Sequence, residues 1–154
     1  MTFQDNKQET FCIDDFMDEL HIYVTQTLQN KGKSKVGVEI FKYTKKKKCF
    51  IHTDRTRLRQ IFVNLLDNAV KFTDVGLIYF GYHTSVGNNM NFFVDDTSDG
   101  IFNDEDLNLS IAHGLVKLMG GEMEVRPAED SGMSVSFNIT CQKIEGEKAD
   151  IAAS

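Results

Sequence analysis

The chain has 154 residues, of which 41% are hydrophobic and 26% charged, values that fit one globular domain able to bury a core without staples. Its formal net charge of −6 argues against a nucleic-acid partner, because phosphate backbones need a positive footprint. No apolar run is long enough to span a bilayer and no secretory segment opens the chain, so no direct membrane contact by this domain is expected.

Cys12, Cys49 and Cys141 form an odd, widely spaced set without CxxC spacing. That pattern suits reduced thiols in a cytoplasm better than a disulfide framework or a zinc site. The expected location is therefore cytoplasmic, with the parent protein free to be membrane-anchored.

Residues 1–12 are expected to be a flexible N-terminal segment, 13–141 a single domain and 142–154 a polar, disordered tail. Phe16, Leu20 and Val24 recur at helical spacing and predict a helix over Asp14 to Leu28. Lys31 to Lys35 reads as a turn, and Val36, Val38 and Ile40 alternate as in a strand. The lysine run from Lys45 to Lys48 separates this strand from another near Cys49 to Thr53. Both an anionic docking patch and a solvated hairpin tip fit four lysines, and the hairpin tip is the commoner case.

Asp54 to Phe72 carries the strongest helix signal, with Leu58, Ile61, Phe62, Leu65, Leu66 and Ala69 in one apolar stripe. Strands over Gly76 to Thr84 and Met90 to Asp95 follow, joined by a turn at Gly87 and Asn88. A third helix is predicted from Asp104 to Met119, with Leu107, Ile111, Leu115 and Leu118 inward and Gly120 and Gly121 closing it. Met123 and Val125 mark the next strand; Val135, Phe137, Ile139 and Cys141 alternate through the last. Strand pairs alternating with helices imply an α+β fold, a two-layer sandwich with three helices on one face of a mixed sheet.

Asn64, Asn68 and Lys71 lie four and three residues apart, so they share a face of the second helix, extended backwards by Gln60 and Arg57. An asparagine carbonyl is a hard oxygen ligand suited to Mg2+, and a lysine ammonium suits a phosphate. Any soluble helix can show Asn and Lys on its outer side, so spacing alone leaves both readings open.

The surrounding segment DRTRLRQIFVNLLDNAVKFTDVGLI, Asp54 to Ile78, resembles the asparagine box of histidine kinases, roughly D-x-x-R-L-x-Q-I-x-x-N-L-L-x-N-A-x-K-F-T followed by G-x-I. The wider kin are the GHKL ATPases, which share a Bergerat-type ATP-binding fold. The resemblance implies ATP and Mg2+ as cofactors. It casts Asn68 as the Mg2+ ligand, Asn64 as a residue of the phosphate side and Lys71 as a contact to a phosphate oxygen, with Asn64 and Lys71 in the catalytic role.

DDTSDGI, from Asp95 to Ile101, resembles the family's first glycine box, D-x-G-x-G-I. Asp96 takes the place of the aspartate that accepts a hydrogen bond from the adenine amino group, with Thr97, Gly100 and Ile101 beside it. An acidic turn is the unremarkable alternative. Ser98 stands where the family has its first glycine, crowding a backbone suited to positive φ.

DLNLSIAHGLVKLMGG resembles the second glycine box, G-x-G-L-x-I-x-x-x-L-V-x-x-M-G-G, and implies nucleotide contacts at Leu107 and Leu109. Its leading glycines are replaced by Asp106 and Asn108, and only Phe102 to Glu105 stands where the family carries a long lid. Side chains at 106 and 108 obstruct the approach of backbone N–H groups to phosphates. A carboxylate 4 Å from a phosphate charge costs up to roughly 4 kcal/mol at an effective dielectric of 20, and a third of that weakens binding about tenfold. As alternatives, Asp and Asn are good helix N-caps.

His21, His52, His83 and His113 do not match a phosphoacceptor histidine, which the family carries on a separate helical hairpin. The chain alone is therefore not a self-sufficient kinase. The resemblance implies, as partners, a dimerisation and histidine-phosphoacceptor domain and a response-regulator receiver domain. The competing readings are a docking module of the same fold that binds ATP weakly or not at all, and another GHKL ATPase such as an anti-sigma-factor kinase acting on serine.

Overall fold

The computed structural model describes residues 7–43, 48–84, 87–97, 107–127 and 132–145. Lys45 to Lys47, the positions from Ser98 to Asp106 and the outermost termini lie outside them, so the expectations for Gly100, Ile101, the lid and the first residues of the third helix fall there too. In chain order the elements are β1 (Gln8–Cys12), α1 (Ile13–Asn30), β2 (Val36–Phe41), β3 (Cys49–Asp54), α2 (Arg55–Phe72), β4 (Gly76–Thr84), β5 (Asn89–Asp96), α3 (Leu107–Leu118), β6 (Met123–Pro127), β7 (Met133–Thr140) and β8 (Gln142–Glu145).

Five strands form the main sheet in the order β2-β4-β5-β7-β6. β2 runs parallel to β4 and the other pairs are antiparallel, so the sheet is mixed and the helices pack on one face of it, as expected. Two expectations need correction. Residues 8–12 and 142–145 were expected to be loose, yet β1 and β8 flank β3 in a second, three-stranded sheet. Their own sequences carry little strand signal; the partner strand supplies the hydrogen bonds, a tertiary effect that overrides local propensity. For the same reason β2 and β3 do not form a hairpin, since each belongs to a different sheet.

The helices form where the periodicity placed them. Asp54 caps α2, its carboxylate accepting the Arg57 backbone N–H at 3.0 Å. The far end of α2 is capped by Lys33, whose ammonium donates to the carbonyls of Val70, Lys71 and Thr73. α3 ends in a Schellman motif: Gly121 N–H reaches the Val116 carbonyl, Gly120 N–H reaches that of Lys117, and Gly120 sits at φ +76°.

The inward face of α3 is the third correction. Leu109, Ala112 and Val116 are buried, whereas Leu107 is 72%, Ile111 37% and Leu118 57% exposed. This helix carries apolar residues on both sides, and it packs mainly against α2, which selects the 109–112–116 stripe.

Asp14 is a charged group inside this core, 6% exposed. It accepts from the Tyr82 hydroxyl at 2.6 Å and from the Cys49 backbone N–H at 2.8 Å. Asp14→Ala removes the acceptor that both donors share inside the core, so a loss of about 3 kcal/mol in unfolding free energy is expected. Chemical denaturation at neutral pH checks this, and a loss below about 1 kcal/mol contradicts it.

The three thiols are free. Burial pushes Cys49 and Cys141 from the ordinary value of 9.0 up to about 11, and pushes Cys12 up as well. The folded state therefore holds these protons more tightly than the unfolded chain. Their contribution to stability is complete below pH 9 and is lost as pH rises through about 11. Denaturation midpoints measured from pH 8 to pH 11 should fall above pH 9, and the fall should shrink when Cys49 and Cys141 are both replaced by alanine.

Candidate functional site

α2 and β5 run in the same direction. The connection from Phe72 to Gly76 is too short for anything but a reversal into β4, and β5 is antiparallel to β4. Alternation along β5 turns Met90, Phe92, Val94 and Asp96 toward the helices and Asn91, Phe93 and Asp95 away. Phe62 of α2 meets Phe92 edge-on at 5.5 Å. From that contact, Asn68 lies roughly 9 Å further along α2 and Asp96 roughly 13 Å further along β5. Both residues therefore stand at the same end of the helix–sheet interface. Both are buried polar groups, at 1% and 4% exposure.

The backbone around Asp96 is tightly held. Asp96 pairs with Ile78 on β4 and Met133 on β7. Thr97 donates its N–H to the Leu77 carbonyl at 3.1 Å, and its hydroxyl accepts the Leu77 N–H at 2.9 Å. Gly132, at φ +95°, lets β7 approach so closely that a Cβ there would lie 1.9 Å from the Asp96 carbonyl oxygen. These contacts fix the Asp96 backbone at the end of β5.

Along α2 the polar row grades from wet to dry and back. Gln60 is exposed, Asn64 half-buried, Asn68 buried and Lys71 exposed. Asn64 Nδ2 is buried without a hydrogen-bond partner among the described residues, and so is the hydroxyl of Thr73, which is fully buried. Unmet donors of this kind are costly, and these two mark the Asn64 region and the Asp96–Thr97 corner as places with capacity for a polar ligand. Thr73 was not singled out from the sequence, although it is the last letter of the K-F-T run; a lone threonine after a helix carries no signal until its burial is known. Of the two leucines carried from the second glycine box, Leu107 projects into solvent while Leu109, 4% exposed, sits in the core.

The donor set suits a hydrated Mg2+ shared with a phosphate better than a protein cage. Asn68 offers a single side-chain carbonyl, and the described residues hold no group of three His, Cys, Asp or Glu able to grip a metal. No helix among the described residues is long and apolar enough to cross a membrane.

The family model for histidine kinase-, DNA gyrase B-, and HSP90-like ATPases matches residues 53–143. The aerobic respiration control sensor protein ArcB of Escherichia coli K12 is 30% identical over 121 residues, covering 64% of this chain and 16% of that protein. The autoinducer 2 sensor kinase/phosphatase LuxQ of Vibrio vulnificus YJ016 is 29% identical over 127 residues, 65% of this chain and 15% of LuxQ. The chain thus spans less than a fifth of the length of either relative. Among solved structures, the catalytic domain of histidine kinase ThkA superposes with a TM-score of 0.73 at 18% identity, covering 87% of this chain and 97% of that one. Full-length ShkA in complex with AMPPNP superposes at 0.71 with 23% identity, covering 91% of this chain and 33% of ShkA.

Proposed function

Because the chain belongs to the histidine kinase-, DNA gyrase B-, and HSP90-like ATPases, we propose that it is the ATP-binding catalytic domain of a sensor histidine kinase, passing the γ-phosphoryl group of ATP to a histidine on a separate domain of a two-component phosphorelay. The observation that carries this reading is the burial of two polar side chains, Asn68 and Asp96, at one end of the α2–β5 interface. Asp96 reads the adenine amino group as an acceptor-only carboxylate, and Thr97, Gly100 and Ile101 of its motif, with Leu107 and Leu109 of the second glycine box, complete the proposed nucleotide contacts. Asn68 holds the metal, Asn64 lines the phosphate side, and Lys71, exposed one turn beyond Asn68, reaches a phosphate oxygen. Mg2+ supplies charge neutralisation on the transferred group; the chain supplies position.

The phosphoacceptor hairpin and a response-regulator receiver domain are the partners of this reading, and the cytoplasm is its location. A second reading, a docking module with little ATP affinity, is favoured by Asp106 and Asn108 in place of phosphate-cradling glycines. Calorimetric titration with ATP separates the two. Saturable heat that weakens when EDTA removes Mg2+ supports the catalytic reading, with a Kd on the order of 10⁻⁴ M given the eroded phosphate end. No heat at millimolar ATP sinks it and leaves the docking module. With ATP bound, an acid-labile phosphohistidine on an added phosphoacceptor domain supports kinase action, whereas phosphoserine on a substrate protein points to the serine-directed relatives.

A further inference from the structure

The helices cover one face of the five-stranded sheet; the opposite face holds a concavity of about 910 Å3 whose lining includes Phe41, Tyr79, His83 and Phe93. The rings form a continuous patch: Phe41 to His83 is 4.8 Å between centroids, Tyr79 to Phe93 is 5.1 Å, and His83 stacks on Phe93 at 5.3 Å and 29°. Four aromatic rings on the outward side of a sheet are an expensive surface to leave in water. The strands beside them add carboxylates. Asp95 lies next to Tyr79 in the β4–β5 register, and Glu39 lies next to Tyr79 in the β2–β4 register.

Those two carboxylates differ from their neighbours. Glu122 pairs with Lys117 and Glu124 with Arg126, but no ion pair reaches Glu39 or Asp95 among the described residues. Asp95 Oδ1 is buried and lacks a hydrogen-bond partner among the described residues. Burial, helped by the charge of Asp96, pushes the Asp95 carboxyl up, while a hydrogen bond from Ser134 and the charge of Arg126 pull the other way. The face thus joins π-surfaces with carboxylates that no ion pair engages among the described residues, the chemistry that recognises a cation.

We propose that this face docks an extended, arginine-bearing segment of a partner protein, its guanidinium groups laid over the Tyr79 and Phe93 rings and directed at Asp95 and Glu39. Arginine fits better than lysine because its planar, weakly hydrated head stacks on aromatic rings and keeps its fork for a carboxylate. From β2 to β6 the sheet is five strands wide, roughly 19 Å at the usual spacing, which about six extended residues cross. A nucleic acid is disfavoured by the same carboxylates. A second copy is disfavoured because a two-fold contact sets Glu39 and Asp95 against their own like charges.

The test is a 15N-resolved NMR titration of the whole chain with acetyl-(Arg-Gly)3-amide at low salt, beside (Lys-Gly)3 and (Glu-Gly)3 peptides of the same length. Saturable shifts at Tyr79, His83, Phe93 and Asp95 are expected, with the arginine peptide binding about threefold tighter than the lysine peptide and the glutamate peptide not at all. Phe93→Ala should weaken the arginine peptide about fivefold. Asp95→Asn, which keeps the side-chain volume, should also weaken it, so the result does not hang on one variant's folding. Shifts centred on the acid-rich α1 surface, equal response to lysine, or unchanged binding in Asp95→Asn overturn the proposal. Concentration-dependent shifts on this face without peptide also overturn it, by assigning the face to a second copy.

Discussion

Phe62→Ala should lower the unfolding free energy by about 4 kcal/mol, the upper part of the range for deleting a buried phenyl ring. Phe62 is fully buried, and its ring meets four others: Phe16 of α1 at 6.1 Å, Phe80 of β4 at 6.3 Å, Phe92 of β5 at 5.5 Å and Phe137 of β7 at 5.3 Å. One side chain therefore joins two helices to three strands of the main sheet. Tilted and edge-on pairs of this kind add about 0.5–1.5 kcal/mol each beyond area burial, and four rigid neighbours cannot collapse together into the vacated space. Domains of this size hold about 5–15 kcal/mol in total, so the loss is a large share of the whole. Urea denaturation followed by circular dichroism measures it; the midpoint should drop with the slope unchanged. Phe62→Leu, which keeps most of the volume, should cost less than half as much. A drop below about 1.5 kcal/mol for the alanine variant would mean that the aromatic cluster is not the centre of the core.

The second large effect concerns recognition. An ionised carboxylate only accepts hydrogen bonds, so Asp96 suits the 6-amino group of adenine and repels the 6-carbonyl of guanine. ATP should therefore bind at least about a hundredfold more tightly than GTP, as expected when a buried polar reader faces an unmatched partner. Asp96→Asn keeps the size of the side chain but makes it donor and acceptor alike. It should weaken ATP by about thirtyfold through loss of a charge-assisted hydrogen bond and leave GTP nearly unchanged, which erases most of the preference. Competition against a fluorescent ADP analogue reads both constants. Equal loss for both nucleotides would point to general damage at the β5 end instead of a lost base contact.

Much of this arrangement was legible from the residues. α2 declared itself through a long apolar stripe and the Asn64–Asn68–Lys71 row, because helical period and site spacing agree along one element. β7 alternates cleanly, so its inward face followed from sequence alone. The misreadings share a physical origin, which is that distant partners decide them. β1 and β8 are short and polar, and only pairing with β3, which lies 42 residues away at the Thr10–His52 step, makes them strands. In α3 the stripes 107–111–115–118 and 109–112–116 are both apolar at helical spacing, and small Ala112 gave no hint that it faces inward. Local periodicity cannot rank two such faces; packing against α2 does. At the site, Asn68 was marked by its motif, while Thr73 gained meaning only from its burial beside the start of β4.

A crystal structure of the chain grown with Mg2+ and ADP tests the central claim most directly. The account predicts adenine lodged between the end of α2 and the end of β5, its amino nitrogen about 2.7–3.2 Å from the Asp96 carboxylate, and the phosphates toward Asn68 and Lys71. Electron density for the nucleotide on any other surface, or an α2–β5 corner closed by core side chains at saturating ADP, would contradict it.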